Sequence, residues 1–169
     1  VTIDNIKAGR DAVSYLIEKG RKRIGLITTA PRSQSSVDRE KGYRLALEEH
    51  GLPYDESLIY YGDYSPESGT KGCETLMKLD NPPDAIFSIS DMMAIGAMNY
   101  ALANDIKIGT DVLFFGFDDI QYSHIFVPHL STVQQPCFLQ GKLVVEKLIE
   151  NMKADVPDKS LNMLPHSLV

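Results

Sequence analysis

The sequence predicts an α/β fold, a doubly wound parallel sheet with helices on both faces, and three observations carry that prediction. Short runs rich in Ile, Leu, Phe and Thr alternate along the chain with helical segments of about 12 residues, the pattern of crossover connections between parallel strands. The most apolar run, DVLFFGF at 111–117, lacks polar alternation, as a strand covered on both faces should. The chain has 169 residues, 43% hydrophobic and 24% charged, enough for one globular unit to close its own core.

The elements follow in order. Asp4 and Asn5 are helix-capping types, Ala12, Val13, Leu16 and Ile17 recur at helical spacing, and Gly20 ends that helix. RIGLITT (23–29) reads as a buried strand, APRSQSSVD (30–38) as a polar loop, and REKGYRLALEEHG (39–51) as a helix. SLIYYG (57–62) is the second strand, and YSPESGTKGCETLMKL (64–79) is a helix with Pro66 in its first turn. DAIFSIS (84–90) and DMMAIGAMNYALAND (91–105) repeat the pair before DVLFFGF. The last third breaks the rhythm. STVQQP (131–136) is a very short strand, CFLQGKLVVEKLIENMKA (137–154) a long amphipathic helix, and LNMLPHSLV (161–169) a terminal strand. KADVPDKS (153–160) is linker-like, and neither a repeat nor a low-complexity tract is present.

Composition excludes several classes of function. With 23 acidic and 17 basic residues, a net charge of -6 gives no global attraction to nucleic acid or anionic membranes. No apolar run approaches the roughly 18 residues of a membrane span, and no export signal opens the chain, so a cytoplasmic location is expected. Val1 enters VTIDN without an initiator methionine, which suggests a fragment. Cys73 and Cys137 lie far apart without CxxC spacing, and His50, His124, His129 and His166 have no ligand spacing, so reduced thiols and no metal are expected. Phosphate loops, nucleophile elbows and zinc-helix motifs are missing. The acid pair Asp118 and Asp119 follows the fourth strand, not the first as in a phosphoryl receiver domain. No cofactor and no enzymatic reaction are expected.

Open parallel sheets bind ligands at the carboxyl ends of their strands, where helix N-termini and free backbone groups collect. Applied in order, that rule brings to one rim Ser33, Ser35, Ser36 and Arg39, then Asp63 and Tyr64, then Ser90 and Asp91, then Asp118 and Asp119, then Gln134 and Gln135. One guanidinium, one ring, hydroxyls, carboxylates and amides, without a nucleophile and base, suit a neutral polyhydroxylated ligand such as a sugar. Each residue also has a purely structural use. Asp91 would cap the helix it opens, Asp119 the IQYSHIF turn, Arg39 could pair with Asp38 or Glu40, Tyr64 could pack on its own helix, and the glutamines could hold a change of chain direction.

Five ordered segments, VTIDNIKAGRDAVSYLIEKGRKRIGLIT, SSVDREKGYRLALEEHGL, GDYSPESG, PDAIFSISDMMAIGAMNYALANDIKIGTDVLFFGFDD and PHLSTVQQP, resemble the effector-binding domain of the LacI/GalR transcription regulators along essentially all 169 residues. Periplasmic sugar-binding proteins of transporters share much of this pattern and are the alternative reading. The resemblance implies a two-lobed fold that closes on a small effector, with three chain crossings between lobes. Residues 1–133 and 160–169 would form the C-terminal lobe, and 134–159 would return to an N-terminal lobe outside this chain. It further implies ligand contacts from Arg39, Tyr64, Ser90, Asp91, Asp118, Gln135 and Ser35. Ser90 departs from the family pattern, where asparagine is frequent in sugar binders. A homodimer surface would take Ile95, Met98, Leu102, Tyr122, Ile125 and Phe126. Operator DNA would be bound through a headpiece upstream of Val1, and effector binding would alter that affinity allosterically.

Overall fold

Each long crossover helix begins where a small polar side chain takes up a free backbone N–H. In the computed structural model, which describes residues 1–31, 33–154, 156 and 158–169, Asp4 accepts from the Lys7 N–H at 2.8 Å and opens α1 (Asn5–Glu18). Ser33 does the same for α2 (Gln34–Glu49), Ser65 for α3 (Pro66–Met77) and Ser90 for α4 (Asp91–Ala103). Interleaved with these are β1 (Thr2–Ile3), β2 (Ile24–Thr29), β3 (Ile59–Gly62), β4 (Ala85–Ser88) and β5 (Leu113–Asp118). A short α5 (Gln121–Ile125), β6 (Ser131–Gln134), α6 (Cys137–Lys153), β7 (Met163–Leu164) and β8 (Ser167–Leu168) complete the chain.

The main sheet runs β3-β2-β4-β5-β6-β8, parallel from β3 to β6 and antiparallel at β8. The chain moves outward from β2 to β3 and then returns past β2 to β4. Strand order therefore reverses between β2 and β4, where Ile27 pairs with Ser88. Right-handed crossovers then place α1 and α2 on one face and α3 and α4 on the other. Both helix pairs approach closely through glycine. A Cβ at Gly42 would collide with the Ile6 carbonyl of α1, and one at Gly96 with the Pro66 carbonyl of α3. The core between the layers contains Leu26, Ile27, Phe87, Phe115 and Phe117, with Tyr43 fully buried and its hydroxyl donating to the Ile24 carbonyl at 2.7 Å.

The doubly wound parallel fold agrees with the sequence expectation, and two local readings need correction. The second helix starts at Gln34, inside the stretch read as loop, because the Ser33 hydroxyl organises the polar SQSS segment into a first turn. The terminal segment is two short strands rather than one. β7 pairs in parallel with β1, which the sequence did not announce, while β8 adds to β6. The linker reading at 153–160 includes residues 155 and 157, which lie outside the described residues. None of the 17 residues of α6 is buried. Among the described residues, no helix is long and apolar enough to cross a membrane.

Candidate functional site

Arg39 lies one and a half turns into α2 and points across the carboxyl ends of the strands. Its side chain is buried, with Nη1 donating to the Ile89 carbonyl at 2.7 Å and Nε donating to Asn5 Oδ1 at 2.9 Å. The guanidinium carbon stands 3.5 Å from the centroid of the Phe117 ring, and Nη1 is 3.5 Å from Asp118 Oδ1. Gln135 Nε2 donates to that same Asp118 oxygen at 2.7 Å. Five segments thus meet at one point beside the strand-order reversal: the start of α1, α2, the ends of β4 and β5, and the chain beyond β6. Arg39 Nη2 has no hydrogen-bond partner among the described residues, leaving a fixed donor beside Asp118.

Burial dominates the electrostatics of this pair. Loss of solvent lowers the Arg39 pKa, partly offset by Asp118, and raises the Asp118 pKa, partly offset by Arg39 and Gln135. At both partners the charged form is penalised more than their attraction restores it, so a ligand that adds hydrogen bonds here relieves an existing cost. The backbone is also constrained. Asp118 has φ 118°, Asp119 φ 57° and Tyr64 φ 70°, left-handed conformations that non-glycine residues hold only when their surroundings enforce them.

A second group lies toward β3. Thr29, Ala30, Ser33, Gly62, Asp63 and Tyr64 line a cleft of about 170 Å³. The exposed Tyr64 reaches within 3.4 Å of the Ser33 hydroxyl, and Ser35 is 3.2 Å from the same oxygen. Asp63 Oδ1 accepts from the Ser65 N–H at 3.0 Å, fixing the turn that presents Tyr64. Ser65 and Ser68 hold the Asp63 carboxyl below the usual carboxylate range, so it stays charged.

The expected rim residues divide by what their polar atoms do. Arg39, Asp118 and Gln135 converge, while Tyr64 and Ser35 flank the neighbouring cleft. Ser90 takes the capping role expected of Asp91. The Ser90 hydroxyl is the cap, accepting from the Met93 N–H at 3.4 Å, and Asp91 is fully buried. Asp91 Oδ1 accepts from the Thr132 hydroxyl at 2.6 Å and Oδ2 from the Ile120 N–H at 2.9 Å, so both oxygens of this fully buried carboxylate are engaged inside the protein. Asp119 does not cap α5; it accepts from Gln134 at 2.7 Å and stands 2.8 Å from His124 Nε2. Arg39 pairs with neither Asp38 nor Glu40, since Glu40 holds Arg44 and Asp38 takes the Gln34 amide. Asn5 and Phe117 were missed because their link to Arg39 is tertiary; Phe117 reads in sequence only as core.

The surface expected for dimer contacts also changes. Met98 is only 1% exposed and belongs to the core, and Ile95 and Phe126 pack partly against that core. Leu102 and Tyr122 are open, at 47% and 63%, and Met92 and Ile125 are exposed as well. Cys73 is buried, which pushes its thiol up to about 12, whereas Cys137 is exposed.

Comparison with known proteins agrees with this fold. The periplasmic binding protein-like domain family matches residues 13–169. Catabolite control protein A of Priestia megaterium is 36% identical over 169 residues, covering 99% of this chain and 51% of that protein. The HTH-type transcriptional repressor CytR of Escherichia coli strain K12 is 37% identical over 153 residues, 90% of this chain and 45% of the repressor. Among solved structures, the transcriptional regulator CelR in complex with cellobiose superimposes with a TM-score of 0.94 at 32% identity, over 99% of this chain and 51% of that one. A LacI-family regulatory protein from Chloroflexus aggregans gives 0.92 at 34% identity, over 98% of this chain and 60% of that one. The chain spans about half the length of the curated relatives it matches.

Proposed function

Because the chain belongs to the periplasmic binding protein-like family, as that family occurs in LacI-type transcription regulators, we propose that it is the effector-sensing part of such a regulator. The effector is a small, neutral, polyhydroxylated molecule of the sugar class, bound at the strand-end rim. The observation that carries this reading is the convergence of Arg39, Asp118 and Gln135, in which one donor edge and one carboxylate remain beside a stacked guanidinium. Charge supports a neutral ligand over a phosphorylated one, since Arg39 is already matched by Asp118 while Asp63 and Asp119 add negative charge nearby. The cellobiose complex of the structurally similar CelR points the same way.

In the longer protein, residues 1–133 and 160–169 form one lobe, and 134–159 return to the other. The apolar face of α6, including Leu139, Val144 and Leu148, all at least 40% exposed here, is the surface that the second lobe covers. Closure of the lobes on the effector changes operator affinity through a DNA-binding headpiece outside this chain, in a homodimer whose contacts include Leu102 and Tyr122. The coupling equals the effector's differential affinity for the two lobe arrangements, typically about 1–3 kcal/mol. A cytoplasmic location follows from that role, and no bond is made or broken.

The test is calorimetry on the full-length protein with neutral mono- and disaccharides and with their phosphates, repeated on Arg39→Ala. A neutral sugar is expected to bind, and the variant to lose at least about tenfold in affinity, as removal of a charged hydrogen-bond partner does. Binding confined to the phosphates, or undiminished in the variant, contradicts the reading.

A further inference from the structure

Asp91 is expected from sequence to touch the ligand, yet both of its oxygens are committed inside the protein. It is the first residue of α4, pressed against β5 so closely that a Cβ on Gly116 would collide with its carboxylate. Gly116 pairs in register with Thr132 of β6, and Thr132 donates its hydroxyl to Asp91 Oδ1 at 2.6 Å. The other oxygen accepts the Ile120 N–H at 2.9 Å. Ile120 immediately follows Asp118 and Asp119, two consecutive residues in left-handed conformation, and Thr132 stands three residues before Gln135. One buried carboxylate therefore holds the two segments whose side chains meet as Asp118 and Gln135 at 2.7 Å.

We propose that Asp91 is the positioning residue of the rim site: its paired bonds to Ile120 and Thr132 set the turn after β5 against the end of β6, so that Asp118 and Gln135 close on Arg39. Two consecutive positive-φ aspartates relax unless the chain after them is anchored, and the Ile120 N–H bond is that anchor. The short bond to Thr132 ties the same carboxylate to the strand that leads out of the lobe. A shift of the turn on ligand contact is thereby transmitted to β6 and the chain crossing beyond it. The significance of the arrangement rests on the rim being the effector site, but the contacts exist without ligand and can be tested without one.

The experiment follows the Arg39 Nε–H, the Gln135 side-chain amide and the Ile120 backbone amide by nitrogen-15 NMR in the unliganded full-length protein. Four variants are compared, Asp91→Ala, Asp91→Asn, Thr132→Val and Met98→Ala. Asp91→Ala and Thr132→Val are expected to move the Arg39 and Gln135 resonances and to speed Ile120 exchange at least tenfold. Asp91→Asn restores the wild-type pattern, because its carbonyl can accept from Ile120 while its NH₂ donates to the Thr132 hydroxyl, which is able to accept. Met98→Ala removes buried packing from the same helix without touching either bond, and it lowers the melting temperature while leaving the three signals in place. The proposal is overturned if Asp91→Ala and Thr132→Val leave the signals unmoved, or if Met98→Ala moves them equally. Should Asp91→Ala fail to fold, Thr132→Val and Asp91→Asn decide the matter. If these signals respond as described while no sugar binds, the positioning role stands and the effector reading falls.

Discussion

Helices α1 and α6 are both long and amphipathic, yet they meet opposite fates. Over 14 residues α1 buries Ala8, Gly9, Ala12, Val13 and Leu16 against α2 and the sheet, whereas the 17 residues of α6 bury nothing and leave Phe138 89% exposed. The contrast teaches that periodicity specifies which face of a helix needs cover and says nothing of where the cover comes from. For α1 the partner lies within this chain, in glycines such as Gly42 that let the two helices approach closely. For α6 the apolar face is a demand that the described residues do not meet.

The largest effect that separates the two regions is the cost of truncating a side chain in the packed layer. Phe87 of β4 is fully enclosed between the helix layers. Phe87→Ala should lower the unfolding free energy by about 3–5 kcal/mol, read from the midpoint shift in a urea titration. A loss below about 1 kcal/mol would mean that the layer is as loosely held as α6, and the comparison would collapse.

Acid should act on the two regions with opposite sign. Burial raises the pKa of Asp91, opposed by the Thr132 and Ile120 bonds and reinforced by the nearby Asp118 and Asp119 charges. Its folded form therefore takes a proton at a pH where the unfolded chain does not, and its contribution to stability grows as pH falls through the raised value, by up to about 1.4 kcal/mol per pH unit. Beyond α6, two Ser160 bonds and Lys147 hold Asp158 down at about 2, so that contribution is present at neutral pH and disappears as pH falls toward that value. Denaturant titrations of wild type and Asp91→Asn from pH 7 to 4 should show the variant ahead at neutral pH and the gap closing with acid. A gap that widens instead would mean that the Asp91 charge stabilises the fold.

The packed layer was also the part most legible in the sequence, and for the same physical reason. Runs such as DVLFFGF carry their burial in their own composition, and helix caps such as Asp4 act within three residues. The start of α2 was hidden because polar SQSS resembles a loop until the Ser33 cap is known. The two-residue strands β7 and β8 exist only through partners far away in sequence, so no local pattern announces them. At the site, the strand-end rule placed Arg39, Asp118 and Gln135, the groups that converge, among twelve rim residues without ranking them. It could not separate Asp118 from Asp91, because both acids follow a strand and only the packing of α4 beneath β5 turns one of them inward. Nor could it find Asn5, whose hold on Arg39 spans 34 residues.

The smallest expected effect gives the comparison its sharpest test. Leu148 stands 59% exposed on α6, so Leu148→Ala in this chain removes little buried surface and should change stability by no more than about 0.5 kcal/mol. In the longer protein, the same substitution should cost about 2–5 kcal/mol if the second lobe covers that face, because a buried leucine is then being hollowed out. The two measurements together form a cycle in which only the environment of α6 differs. A cost that is small in both would leave the helix an exposed arm and remove the return to a second lobe. A cost already large in this chain alone would mean that another copy covers α6 in solution, which a concentration-dependent melting temperature would reveal.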